Sequence, residues 1–145
     1  MQVDARRPQL GHRLFFVATI ALISCSSPND PSVIGANVEL LPTPYSAPPG
    51  VQVVGTGAFV VYATIAYPCA PYALRASGHR AGALLVVRVE GRRKDGCFQD
   101  VTGVMSYRLD AYGVPAGRYQ LRVINEHREW DADPDTVLAQ SVDVP

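Results

Sequence analysis

The chain has 145 residues, 13 basic and 13 acidic, so its formal charge is zero. That balance, with no basic stripe, excludes a nucleic-acid binder held by phosphate contacts. The length suits one ordinary domain and is too small for two.

Arg6, Arg7, His12 and Arg13 make a basic N-terminal region, and residues 14–23 (LFFVATIALI) form an uncharged core. The core is well short of the about 20 residues a helix needs to cross a bilayer, so it predicts an export leader. Leu22-Ile23-Ser24-Cys25 closes this segment and resembles the lipobox of bacterial lipoproteins. The resemblance implies a signal peptide over 1–24, cleavage before Cys25, and lipid on the Cys25 thiol as a membrane anchor. Ser26 follows the cysteine; in a diderm host the same resemblance implies the outer membrane. Lipoproteins of this kind carry two or three acyl chains, and each buried CH₂ contributes ~0.8 kcal/mol, so detachment is expected to be slow. The leader takes three arginines and Asp4 with it, leaving 10 basic and 12 acidic residues, a net charge of −2.

Residues 26–50 are rich in Ser, Pro, Asn and Gly, and Pro28, Pro31, Pro42, Pro44, Pro48 and Pro49 preclude a helix there. Residues 25–37 are expected to be a flexible tether, with the folded domain over 38–145 and a short edge strand at 38–41. Gly55-x-Gly57 precedes no helix, which predicts a β-bulge rather than a phosphate loop.

Strand follows strand from residue 51. Residues 58–67 (AFVVYATIAY) are β-branched and aromatic between Gly57 and Pro68, as in a central strand. Residues 72–76 are expected to be a strand, with a turn at Ser77-Gly78. Residues 84–90 alternate Leu85, Val87 and Val89 with Arg88 and Glu90. Lys94-Asp95-Gly96 signals a turn. Residues 104–111 place Met105, Tyr107 and Leu109 inward against Ser106, Arg108 and Asp110 outward. A hairpin connection is expected at Val114-Pro115-Ala116-Gly117. Residues 118–124 repeat the alternation with Tyr119, Leu121 and Val123 inward, and 137–144 give a last strand. Period-two alternation with one wet face is the mark of antiparallel strands.

Several short strands in about 100 residues predict an all-β, antiparallel β-sandwich. Gly117-x-Tyr119-x-Leu121-x-Val123, after a proline-containing loop, resembles the penultimate strand of immunoglobulin-like and fibronectin type III-like domains. That resemblance implies an immunoglobulin-like sandwich and a corner made by Tyr119. The Cys-Trp-Cys framework of antibody domains is missing, since Trp130 follows both remaining cysteines. Transthyretin-like and carboxypeptidase-regulatory-like sandwiches carry a similar strand.

With Cys25 assigned to lipid, Cys69 and Cys97 remain. In an exported chain such a pair reads as a disulfide, worth ~3–4 kcal/mol for a loop of this length. Two buried free thiols and a metal pair are the alternatives. Asp131, Asp133 and Asp135 (D-A-D-P-D) lie near Glu126 and Glu129 in an acidic loop between the last two strands. Oxygen ligands at alternate positions suit Ca²⁺, but Thr136 and Val142 stand where an EF-hand needs Gly and Glu. A solvated acidic turn is the better reading, and no other cofactor is implied. His79 and His127 lack the spacing of a zinc site, and no G-x-S-x-G nucleophile occurs. Tyr112, Arg128 and Trp130, with Arg92 and Arg93, fall in or near expected loops, the residue types and places that favour recognition.

The composite expectation is a lipid-anchored envelope module that binds without catalytic turnover. Its partners would be the membrane through the lipid, and another envelope protein or a glycan. The alternatives are a small-ligand carrier with a pocket between the sheets, and a metal-dependent envelope hydrolase using the 131–135 loop with His127.

Overall fold

The computed structural model describes residues 32–67, 72–94, 103–127 and 133–145. Among them every regular element is a strand: β1 (Val33–Leu40), β2 (Gly50–Gly55), β3 (Ala58–Tyr67), β4 (Tyr72–Ala81), β5 (Leu84–Arg93), β6 (Gly103–Tyr112), β7 (Gly117–His127) and β8 (Asp135–Val144). The all-β expectation holds, and β3 has the expected bounds.

The strands form one mixed sheet in the order β2-β3-β6-β1-β4-β5-β7-β8. Its two halves share β1. Val33 and Ile34 pair with His79 and Gly78 of β4, while residues 35–40 pair with residues 112–107 of β6. The sheet curls until its ends nearly meet. At the seam the Gly57 amide donates to the Pro145 carbonyl at 3.3 Å, and the Gly57 carbonyl accepts from the Val114 amide at 3.0 Å. Gly57 has φ +71°, and a Cβ there would lie 2.9 Å from the Val114 oxygen, so close approach and backbone conformation both require glycine. The result is a near-barrel.

Alternation fills the interior. Phe59, Val61, Ala63 and Ile65 of β3, Leu85, Val87 and Val89 of β5, Tyr107 and Leu109 of β6, and Leu121 and Val123 of β7 are all buried. Burying each large apolar side chain of this kind contributes roughly 1.5–3 kcal/mol. One polar side chain, Asn125, joins them. The Tyr107 hydroxyl donates to Asn125 Oδ1 at 2.9 Å, and Asn125 Nδ2 donates to the Thr64 carbonyl at 2.8 Å. This relay ties β6, β7 and β3 together inside the core, with a partner for each of the atoms it buries.

Several expectations are corrected. The strand expected at 38–41 begins earlier, as β1 (Val33–Leu40), and lies in the middle of the sheet rather than at an edge; residues 33–37, expected to be tether, therefore belong to the sheet. Ser77-Gly78 is not a turn but part of β4, and the reversal comes at Gly82, φ +59°. Gly78 sits opposite Ile34, whose side chain fills the space a Cβ would need. A glycine there is thus a packing device rather than a breaker. Residues 113–116 do not close a hairpin, because β6 and β7 are not neighbours; they cross from one half of the sheet to the other. Pairing is not antiparallel throughout, since β5 and β7 run parallel, from Leu84 opposite Gln120 to Gly91 opposite His127. A continuous mixed sheet therefore replaces two separate antiparallel sheets. Ser106 points outward as expected yet is buried, because residues after β1 fold over it. The Leu41 amide donates to the Ser106 carbonyl at 2.9 Å and the Tyr45 amide to Ser106 Oγ at 2.6 Å.

The bulge expected at Gly55-x-Gly57 is present as a register shift between Val53 and Gly55. Strand 72–76 is present as the start of β4. The turn at Lys94-Asp95-Gly96 falls largely outside the described residues, which reach Lys94.

The pairing directions give the near-barrel two unlike ends. Odd-numbered strands run one way and even-numbered strands the other. The start of β1 and the links β2–β3, β4–β5 and β6–β7 share one end, the turn end. The links β1–β2, β3–β4, β5–β6 and β7–β8 share the opposite, connector end.

Candidate functional site

The outer wall over β1, β6 and β3 carries a row of side chains that register brings together. Glu39 is opposite Arg108, and Arg108 is opposite Tyr62. Arg108 Nη2 and Nε both reach one oxygen of Asp110, at 2.7 and 3.1 Å. These residues share the outer face because they sit two apart on β6. Hydrogen bonding and charge from Asp110, with smaller contributions from Tyr62 and Glu39, push the Arg108 guanidinium above its ordinary value. Tyr45 stacks on Tyr62 with ring centroids 5.4 Å apart and planes inclined by 25°. The proline-rich stretch that holds Tyr45 thus adds a second aromatic ring to the wall. An aromatic pair beside a half-exposed guanidinium and carboxylate can stack on an apolar face and exchange hydrogen bonds at its edge. This suits recognition.

The opposite wall is charged in a more ordinary way. Arg88 pairs with Glu126 across β5 and β7, and Arg92 with Glu90 at 2.6 Å along β5. Exposed pairs of this type contribute ~0–1 kcal/mol each.

The expected site residues are distributed as follows. Tyr112 ends β6 rather than sitting in a loop, and its ring occupies the space over Gly35 of β1. It is 56% exposed. Arg92 and Arg93 end β5. Asp133 precedes β8 and Asp135 begins it, opposite Asn125. Cys25, Cys69, Cys97, Arg128, Trp130 and Asp131 lie outside the described residues. Among the described residues no three of His, Cys, Asp and Glu come together as a metal-binding set. His127 closes β7 opposite Gly91, and burial lowers its basicity. Burial, aided by the charge of Asp135, raises the Tyr107 hydroxyl far above the ordinary phenol range, so it stays a protonated donor to Asn125.

The Glu39–Arg108–Tyr62 row escaped the sequence reading. Arg108 and Asp110 were placed on a wet face, but no local signal pairs β6 with both β1 and β3, or brings Tyr45 back across them.

Comparison with protein-family models, with curated proteins and with solved structures finds no match for this chain.

Proposed function

We propose that this chain is a lipid-anchored module of a bacterial cell envelope, which binds a partner without catalytic turnover. The lipobox-like Leu22-Ile23-Ser24-Cys25 supports the address. The observation that carries the binding role is the outer-wall row of Glu39, Arg108 and Tyr62, extended by Tyr45. The interior is occupied by the protein's own side chains, so recognition falls to the surface. Its partner is an envelope protein or glycan with both an apolar face and hydrogen-bonding edges. The likeness of β7 to the penultimate strand of immunoglobulin-like domains belongs to the same reading, and the bond from the Tyr119 hydroxyl to the Pro115 carbonyl at 2.9 Å supports its tyrosine corner. A Cys69–Cys97 disulfide belongs to it too. Cys69 precedes Tyr72 by three residues, Tyr72 is opposite Arg93, and Cys97 follows Arg93 by four.

Two measurements test this. The intact mass of protein taken from host membranes, with free thiols alkylated and no reduction, should show a chain starting at Cys25, heavier by lipid and carrying no alkyl groups. An uncleaved, unlipidated chain would remove the address. A photo-crosslinker in place of Glu39 should give a discrete adduct in the envelope that Arg108→Ala abolishes. If no adduct forms, or if Arg108→Ala leaves it unchanged, the wall is not the binding surface.

A further inference from the structure

The lipid and the body meet at a defined place. The Arg80 amide donates to the Ser32 carbonyl at 2.6 Å, which fixes the chain to the end of β4 before β1 begins. Cys25 lies seven residues before Ser32. Whatever path those residues take, they span at most about 25 Å. A ten-residue strand is about 33 Å long. The turn end of the near-barrel, where Ser32 leaves the sheet, is therefore held beside the lipid, and the connector end is out of its easy reach.

That end has a surface suited to lipid. Val33, Val54 and Tyr112 are 46%, 53% and 56% exposed, and all three lie there; Leu40 and Val104 are the exposed apolar residues of the connector end. Tyr112 covers Gly35, two residues from Val33 on the same face of β1. Val54 precedes Gly55, which is opposite Ala58, itself opposite Tyr112. The links at 56–57, 82–83 and 113–116 contain no charged residue, whereas the connector-end links at 94–102 and 128–134 contain three and four. Of the charges near the turn end, Arg118 and Asp143 face each other at 3.7 Å, and Arg80 stands beside the β4–β5 turn, opposite Leu85. A tyrosine with an apolar body and a polar tip is the residue type that settles at a membrane–water boundary.

We infer that the turn end, through Val33, Val54 and Tyr112, rests on the lipid surface into which Cys25 is anchored. This orientation rests on the lipoprotein reading. It directs the connector end outward and stands the Glu39–Arg108–Tyr62 wall clear of the bilayer.

The test uses the full mature, lipidated chain in phosphatidylethanolamine–phosphatidylglycerol vesicles that contain brominated acyl chains. A Trp130→Phe background carries one of three further substitutions, Tyr112→Trp, Val54→Trp or Glu39→Trp, each checked for a native melting transition. For Tyr112→Trp and Val54→Trp we expect blue-shifted emission that is quenched by the brominated lipid. For Glu39→Trp we expect emission like that of unlipidated protein. Co-flotation and intact mass are read on the same samples. Protein that floats with lipid attached but shows no quenching in either turn-end variant overturns the orientation alone. So does equal quenching in all three variants. Protein that carries no lipid and does not float overturns the lipoprotein reading and the orientation with it.

Discussion

The hydroxyl of Tyr119 reaches back along its own chain to the carbonyl of Pro115, 2.9 Å away. The bond spans the crossing from β6 to β7, where the chain leaves one half of the sheet for the other. Val114 is buried beneath it, so the corner holds a loop that packs as part of the core. Tyr119→Phe keeps the ring and removes the bond, and should cost about 1 kcal/mol. Urea unfolding followed by circular dichroism would measure it. A midpoint equal to that of the parent would show that the corner contributes nothing.

Asn125 has the larger role in stability. It serves the Tyr107 hydroxyl and the Thr64 carbonyl at once, and its loss strands both. Asn125→Leu should cost about 3 kcal/mol, the sum expected for two buried groups left without partners. Adding Tyr107→Phe removes one stranded group, so the double variant should be more stable than additive costs predict. Strict additivity in chemical denaturation would contradict the relay.

Gly78 tests the packing of β1 against β4. A methyl group at residue 78 would collide with the Ile34 side chain, so Gly78→Ala should cost about 1–3 kcal/mol through overpacking. Ile34→Ala is also destabilising by itself, because Ile34 is in the core. Combined, the two should cost less than their sum, since each relieves the space the other misuses. The comparison is read from thermal midpoints of the four proteins.

The histidine at the end of β7 makes stability depend on pH. Burial lowers the basicity of His127 in the folded chain, so between its folded value and its ordinary one, about 6.5, the unfolded chain binds more protons. Stability then rises with pH through that interval. Its contribution is intact above about pH 6.5 and is progressively lost below it. His127→Gln should flatten the stability profile of the parent between about pH 5.5 and 7.5, a range that stays clear of ordinary carboxylate titration. Parallel profiles for the two proteins would rule out His127 as the source.

The alternation in β5, β6 and β7 was legible because a half-buried strand repeats every two residues, and Leu85, Tyr107 and Leu121 all face inward as the pattern requires. Partnership was not legible. Nothing in Leu84–Arg93 shows that it runs beside β7 rather than only against β4, since pairing is settled by how the whole sheet curls. β1 was half missed because the Ser-, Pro-, Asn- and Gly-rich composition around it hides the inward alternation of Ile34, Ala36 and Val38; its glycine is accounted for only once Tyr112 lies over it. The candidate wall failed to appear for the same reason. Its residues are ordinary in sequence and become a group through two separate strand pairings and the return of the loop that holds Tyr45.

The position of β1 also has a consequence in time. Its first two residues wait for β4 and the rest for β6, so a chain emerging N-terminus first presents β1 with nothing to pair with until residues 78–79 and later residues 107–112 have followed. The adjacent pairs β2–β3 and β4–β5 can form early as local hairpins, whereas β1 and the parallel β5–β7 pair must await distant segments, which slows folding. β1 is thus among the last strands to be secured, and in the interval it is an open edge on which a second unfinished chain could be captured.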